Sequence, residues 1–199
     1  MEEIYQSLTK GIRKPKNKIA LFLCGAAGSG KTTSRSKFLD DVGMKTTFVT
    51  LNIDDIRPIV GSQQAARQVF GELTDKVIED GYSLLYDATC RDRSNIIARM
   101  KQLKEGGYKI ILGIMYASLG TVLGRVRRRV EQPLDQDIAK DIYQHLKKNV
   151  ETYMSVSEID EVYLYNNEQT SKLIYSRKAK KIYCLSPESN FYFDVSKYC

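Results

Sequence analysis

Residues 25–32, Gly25-Ala26-Ala27-Gly28-Ser29-Gly30-Lys31-Thr32, have the types and spacing of a loop that holds phosphate. Its glycines let the backbone fold back so that successive N–H groups point inward at the β- and γ-phosphates, with the positive end of the following helix adding to the field. Lys31 bridges those phosphates in this reading, and the Thr32 hydroxyl is the expected ligand for Mg²⁺. Thr33 completes the expected nucleotide contacts. The alternative is a chance glycine-rich loop. Context argues against it, because the apolar run 19–24 precedes the motif and a helix from about Lys31 to Asp41 is expected after it. The implied donor is a nucleoside triphosphate.

Phosphate binding does not name the acceptor. The stretch 52–57, NIDDIR, carries Asp54, Asp55 and Arg57 where a strand is expected to end. A carboxylate there can take the proton of an attacking hydroxyl, and an arginine beside it can grip an acceptor anion. Asp54 is the stronger candidate for the base; the plainer reading is a helix cap and a solvated neighbour. Farther on, YDATCRDR places three candidates at a second strand end: Asp87 to hold Mg²⁺ through water or to anchor the acceptor, Thr89 as a hydroxyl and Arg91 as a bidentate phosphate or carboxylate clamp. Capping is again the plainer role for Asp87 and Thr89. The run GRVRRRVE then concentrates Arg125, Arg127, Arg128 and Arg129. Read as one helix, it puts Arg125, Arg128 and Arg129 on a shared face, as a lid over the γ-phosphate, and Arg127 toward solvent.

The elements that must position these groups alternate. IALFLC reads as a strand buried on both faces, TTFVTLNI as the next, and YSLLYD and YKIILGIMYA as two more. Ala66, Val69, Phe70, Leu73 and Val77 recur at helical spacing, as do Ile96, Ile97, Met100 and Leu103, and Ile138, Ile142, Leu146 and Val150 after a turn at PLDQD. Short strands follow at VYLY, KLIYS, KIYCLS and FYFDV. Repeated β–α–β units give an α/β P-loop kinase fold, a mostly parallel sheet flanked by helices with short antiparallel strands at the C-terminus. Residues 1–18 read as an N-terminal extension, 19–176 as the kinase domain and 177–199 as its C-terminal β extension.

Composition narrows the setting. A chain of 199 residues has room for one such domain, and its formal charge of +7 suits anionic ligands without choosing among them. Cys24, Cys90, Cys184 and Cys199 lie far apart in sequence with no CxxC pair and no neighbouring histidine, which argues against zinc and for a reducing compartment. With no signal peptide and no membrane-length apolar run, the sequence reads as soluble and cytosolic. His145 reads as a surface residue. The basic run Arg177–Lys181, beside Tyr175 and Tyr183, reads as a solvated turn before it reads as a nucleic-acid patch. Asn166 and Asn167 fall where related kinases run past the nucleotide base.

GAAGSGKTTSRS, NIDDIR, GYSLLYDATCR, GGYKIILGIMYA, the arginine run and DEVYLYNN together resemble the zeta-toxin family of P-loop kinases over most of residues 19–175. The resemblance implies transfer of phosphate from ATP or GTP, with Mg²⁺, to a hydroxyl of UDP-N-acetylglucosamine, and a small antitoxin as partner. It implies Lys31, Asp54 and Arg128 as catalytic residues, Arg128 matching the first lid arginine. Asp87, Thr89 and Arg91 match the family's acidic–small–Thr–x–Arg motif, with Asp where Glu is usual. Two departures bear on the acceptor: the stretch between Arg57 and Tyr82 lacks the family's longer helical insertion, and the lid after Glu131 has no second arginine. DDxR followed by DAT is also similar to 5′-hydroxyl polynucleotide kinases, in which Arg57 would hold an acceptor phosphate. Nucleic acid, a nucleoside or a nucleotide is therefore the alternative acceptor, and a nucleotide-binding module without transfer chemistry is the alternative class.

Overall fold

The apolar run 19–24 forms the middle of the molecule because every one of its side chains from Ala20 onward is buried. In the computed structural model, which describes residues 1–44, 47–130, 133–179, 181–185 and 191–199, this run is β1 (Ile19–Gly25), after a short helix α1 (Glu2–Thr9). There follow α2 (Lys31–Asp41), β2 (Val49–Asn52), α3 (Ile53–Val60), α4 (Gln63–Glu79), β3 (Leu84–Ala88), α5 (Arg93–Glu105) and β4 (Lys109–Tyr116). The chain continues through α6 (Leu119–Arg127), α7 (Gln136–Met154), β5 (Glu161–Asn166), β6 (Lys172–Lys178) and β7 (Lys181–Cys184) to a 3₁₀ turn, Val195–Tyr198.

The strands form one sheet in the order β2-β3-β1-β4-β5-β6-β7. The first five are parallel, and β6 and β7 are added antiparallel. This is the P-loop kinase fold. VYLY, grouped at the sequence level with the late short strands, is β5 and pairs parallel with β4. FYFDV is a correction. Phe191 and Tyr192 are consecutive and both buried, so the alternation a half-exposed strand needs is missing, and the segment packs as an aromatic plug instead of pairing. Thr46, Glu131, Gln132 and Lys180 lie outside the described residues.

Each face of the sheet buries its own core. Leu21, Leu23, Leu85, Ile111, Met115, Tyr163 and Tyr165 meet Phe38 of α2 on one side. There β4 carries Gly113, and a Cβ at that position would lie 2.8 Å from the Phe38 ring; the glycine is what lets α2 sit so close. The other face meets Leu73 and Val77 of α4, Met100 and Leu103 of α5, and Leu146, Val150 and Tyr153 of α7. Helix α1 joins this core through Tyr5, whose hydroxyl donates to Asp80. Ile138, expected on the apolar stripe of α7, is exposed.

The cysteines, distant in sequence, meet in space. Cys24 is disulfide-bonded to Cys90 and Cys184 to Cys199. That removes the inference from isolated cysteines to a reducing compartment. No helix among the described residues is long and apolar enough to cross a membrane.

Candidate phosphate-binding and transfer site

Where β1 stops, the backbone must turn at once into α2. Gly28 and Gly30 do this at φ +85° and +87°, a region L side chains avoid. The turn is also crowded: a Cβ on Gly28 would lie 2.8 Å from the Val122 carbonyl of α6, and one on Gly30 would lie 3.1 Å from Asn167 Nδ2. Ser29 N–H closes the loop on the Ala26 carbonyl at 3.0 Å. Ala27 lies partly exposed between them. Lys31 opens α2 and donates from Nζ to the Gly25 carbonyl at 2.9 Å, so its ammonium lies over the mouth of the loop. Thr32 and Thr33 follow in the first helical turn and are exposed.

The acidic groups arrive on the neighbouring strands. Asn52 ends β2 and caps α3, its side chain accepting the Asp54 N–H at 2.9 Å. This sets Asp54, half-buried, and Asp55, exposed, in the first turn of α3, where the helix dipole favours negative charge. Asp87 pairs in register with Asn52 on one side and Leu23 on the other, and is buried. Burial pushes its carboxyl above the usual range, against the pull of Lys31 and Arg35, while Asp54 and Asp55 push the same way as burial. Burial likewise lowers the Lys31 ammonium, Asp87 opposes it, Arg129 adds to the lowering and Asp54 opposes it. Lys31, Asp54, Asp87, Arg35 and Arg129 thus form one electrostatic cluster at the C-terminal ends of β1, β2 and β3. In open α/β sheets this is where ligands bind.

Arg35 was not singled out from the sequence. It lies four residues after Lys31, hence on the same face of α2, and it donates to Thr50 Oγ1 of β2. That helical spacing was the available signal. Thr50 shares a sheet face with Asn52, so Arg35 is held above the strand ends that carry the two aspartates.

The other expected residues are placed as follows. Thr89 lies half-buried in the loop after β3, which is fixed by the Cys24–Cys90 disulfide, by Tyr153 Oη donating to the Cys90 carbonyl at 2.8 Å and by Asn149 Nδ2 donating to the Arg91 carbonyl at 2.7 Å. The Arg91 guanidinium pairs with Asp141 of α7 at 3.6 Å. Arg57 reaches Gln63 at 3.5 Å. The arginines are not on one helix: α6 ends at Arg127, Arg128 is its C-cap and Arg129 lies beyond it. Arg128 turns back to its own helix, donating from Nε to the Gly124 carbonyl at 3.1 Å. Arg125 is a clamp on the loop, donating to the carbonyls of Gly28 at 3.2 Å, Asn167 at 2.8 Å and Glu168 at 3.1 Å. Asn167 adds a bond to the Ser29 carbonyl at 2.9 Å. His145 is exposed and lies against Asp141 on α7. In the basic run, Arg177 donates to the Met154 carbonyl in a partly buried bond, and the exposed Lys178 donates to the Asp41 carbonyl.

Among the described residues no three His, Cys, Asp or Glu side chains are grouped to hold a metal. The Thr32 hydroxyl and the Asp87 carboxylate are oxygen donors that fit Mg²⁺, an ion that keeps several waters and shares its shell with phosphate.

Comparison with known proteins agrees with this architecture. The family model described as Zeta toxin matches residues 3–179. The toxin–antitoxin system PezAT of Streptococcus pneumoniae superposes with a TM-score of 0.70 at 20% identity, over 88% of this chain and 78% of that one. The AvrRxo1-ORF1:-ORF2 complex with ATP superposes with a TM-score of 0.65 at 14% identity, over 92% of this chain and 63% of that one. No curated protein matches the sequence.

Proposed function

The chain belongs to the zeta-toxin family, and from that premise we propose that it is a kinase that transfers the γ-phosphate of ATP or GTP to a hydroxyl of a nucleotide-type acceptor such as UDP-N-acetylglucosamine. The observation that carries this is the meeting of Lys31, Asp54 and Asp87 at adjacent strand ends, a base and a phosphate clamp within one field. A module that only binds nucleotide has no use for a base at Asp54.

In this reading the loop amides and Lys31 hold the β- and γ-phosphates. Asp54 accepts the proton of the attacking hydroxyl as the bond to phosphorus forms. Arg129, whose charge acts on Lys31, neutralises charge on the transferring oxygens, with Arg128, the arginine that matches the family motif, next to it in the chain. Thr32 and Asp87 would hold Mg²⁺, which screens the phosphate charge. Arg91 is the acceptor clamp; its bond to Asp141 is a long surface pair worth little, so an anion can displace it. A small antitoxin partner belongs to the same proposal.

The test is incubation with labelled ATP and a panel of UDP-N-acetylglucosamine, nucleosides, nucleotides and 5′-hydroxyl oligonucleotides, followed by identification of the labelled product. Label on the sugar nucleotide is expected. Label on the oligonucleotide alone would move the assignment to a nucleic-acid end kinase, the reading favoured by the net positive charge and by Arg57. No label on any acceptor, with ATP bound, would leave a binding module.

A further inference from the structure

The family match ends at residue 179, yet the last residues of the chain return to the nucleotide end of the sheet. Phe191, Tyr192 and Val195 are buried. The Tyr192 ring packs on Tyr116 at 5.0 Å, on Tyr143 at 5.3 Å and on Phe191 at 5.4 Å between centroids, which wedges it between the end of β4 and α7. Its hydroxyl donates to the Met115 carbonyl at 3.5 Å. Met115 is the β4 residue paired with Gly25, the first residue of the phosphate loop, and a Cβ on Gly25 would come within 3.0 Å of that same carbonyl. From the other side the Ala26 N–H faces the same hydroxyl. The phenol therefore lies between the end of β4 and the rising limb of the loop, on the carbonyl of the residue paired with Gly25.

That placement answers a need of the backbone. Ala26 is fully buried, and a buried N–H without a partner is costly. Its carbonyl is used by Ser29 N–H inside the loop, and its N–H faces the tyrosine hydroxyl. The segment that delivers the tyrosine is tied at its end, because Cys199 is bonded to Cys184 at the end of β7.

We propose that Tyr192 is a positioning residue of the nucleotide site, and that the C-terminal segment 191–199 is the brace that holds the phosphate loop in its binding shape. The inference rests on the phosphate-loop reading above. Tyr192 touches no phosphate; it fixes the first limb of the loop, so that the amides following it are already aimed when ATP arrives. Such a brace serves ground state and transition state alike, and its loss therefore raises KM for ATP and leaves kcat in place.

Tyr192→Phe keeps the ring and removes only the hydroxyl. The expected result is a rise in the ATP dissociation constant and in KM for ATP of roughly 3- to 10-fold, the worth of one net hydrogen bond, with kcat within about twofold of wild type and faster amide exchange at Ala26. An ATP affinity equal to wild type overturns the inference, as does a lowered melting temperature with affinity unchanged, which would make the residue mere packing. Should this variant fail to fold, Cys184→Ser combined with Cys199→Ser unties the segment with the phenol present; a raised KM for ATP supports the brace, and an unchanged one overturns it. Lys31→Ala separates the two levels. If Lys31→Ala loses ATP and Tyr192→Phe does not weaken it, only the brace falls; if Lys31→Ala binds ATP as wild type does, the phosphate-loop reading falls and the brace with it.

Discussion

Replacing Asp54 by Asn is expected to abolish transfer while sparing both the fold and nucleotide binding, and the structure fixes the size of each effect. Asp54 sits in the first turn of α3, half-buried, with its backbone N–H held by Asn52. Asn has the same shape, so the stability lost is the favourable interaction of one carboxylate with a helix N-terminus, about 0.3–1 kcal/mol. A marginally stable domain survives that. Removing a negative charge that acts on both Lys31 and Asp87 should leave ATP, itself an anion, bound at least as tightly as before. Transfer should nonetheless fall by roughly 10²–10⁴, the usual contribution of a positioned base. The assay is kcat with the identified acceptor, beside ATP affinity measured by calorimetry. Asp55 supplies the control, being exposed one residue along the same turn; Asp55→Asn should keep most activity. An inactive Asp55→Asn with an active Asp54→Asn would show that the other carboxylate is the base. Full activity in both would move the base elsewhere, with Asp87 next.

Arg129→Ala should lower kcat far more than ATP affinity, by up to about 10³ if it acts as an arginine finger, and more than Arg128→Ala does; the reverse ranking in steady-state kinetics would restore the lid role to Arg128. Gly113→Ala should destabilise the protein by about 1–3 kcal/mol, because its Cβ would meet the Phe38 ring at 2.8 Å and that ring is hemmed by Tyr163 and Tyr165; an unchanged melting temperature would refute the close approach of α2. Burial disfavours the Glu168 carboxylate, but hydrogen bonds from Ser118 and Thr121 outweigh it and hold the group below its ordinary value of 4.5. A depressed carboxylate gives stability that is present above that value and is lost as pH falls through the folded one. Glu168→Gln should thus be less stable than wild type by about 1 kcal/mol at neutral pH, with the gap closing in acid; a gap that does not close in melts taken across pH 7 to 3 would refute the ionic origin.

Local signals were legible because they are local. The phosphate loop announces itself by glycines at the positions that take φ near +85°, and the parallel core by strands apolar on both faces. The failures come from long-range packing. GRVRRRV reads as a uniform helix, but nothing in the pattern reveals that α6 must stop at Arg127, so Arg128 falls at its C-cap and Arg129 beyond it. The pairing of Cys24 with Cys90 spans 66 residues and follows only from the adjacency of β1 and β3, which sequence spacing does not contain. FYFDV has the residue types of a strand, and the aromatic pocket made by Tyr116 and Tyr143 overrode that propensity.

The same two-sided sheet explains why donor and acceptor chemistry differ in how firmly they are built. The phosphate loop is gripped from several directions, by Arg125 and Asn167 on its carbonyls, by Val122 of α6 against Gly28, and by Tyr192 on the Met115 carbonyl beside Gly25. The side proposed for the acceptor is held at its root by the Cys24–Cys90 bond and by α7, but its arginines end in surface contacts, Arg57 on Gln63 and Arg91 on Asp141. Contacts of that kind are exchanged for an anion at little cost. Under the proposed function, a rigid donor pocket facing replaceable acceptor clamps would let one fold keep its phosphate chemistry while the acceptor changes. Substitutions at Arg57 and Arg91 should therefore alter which hydroxyl is phosphorylated before they alter how ATP is bound.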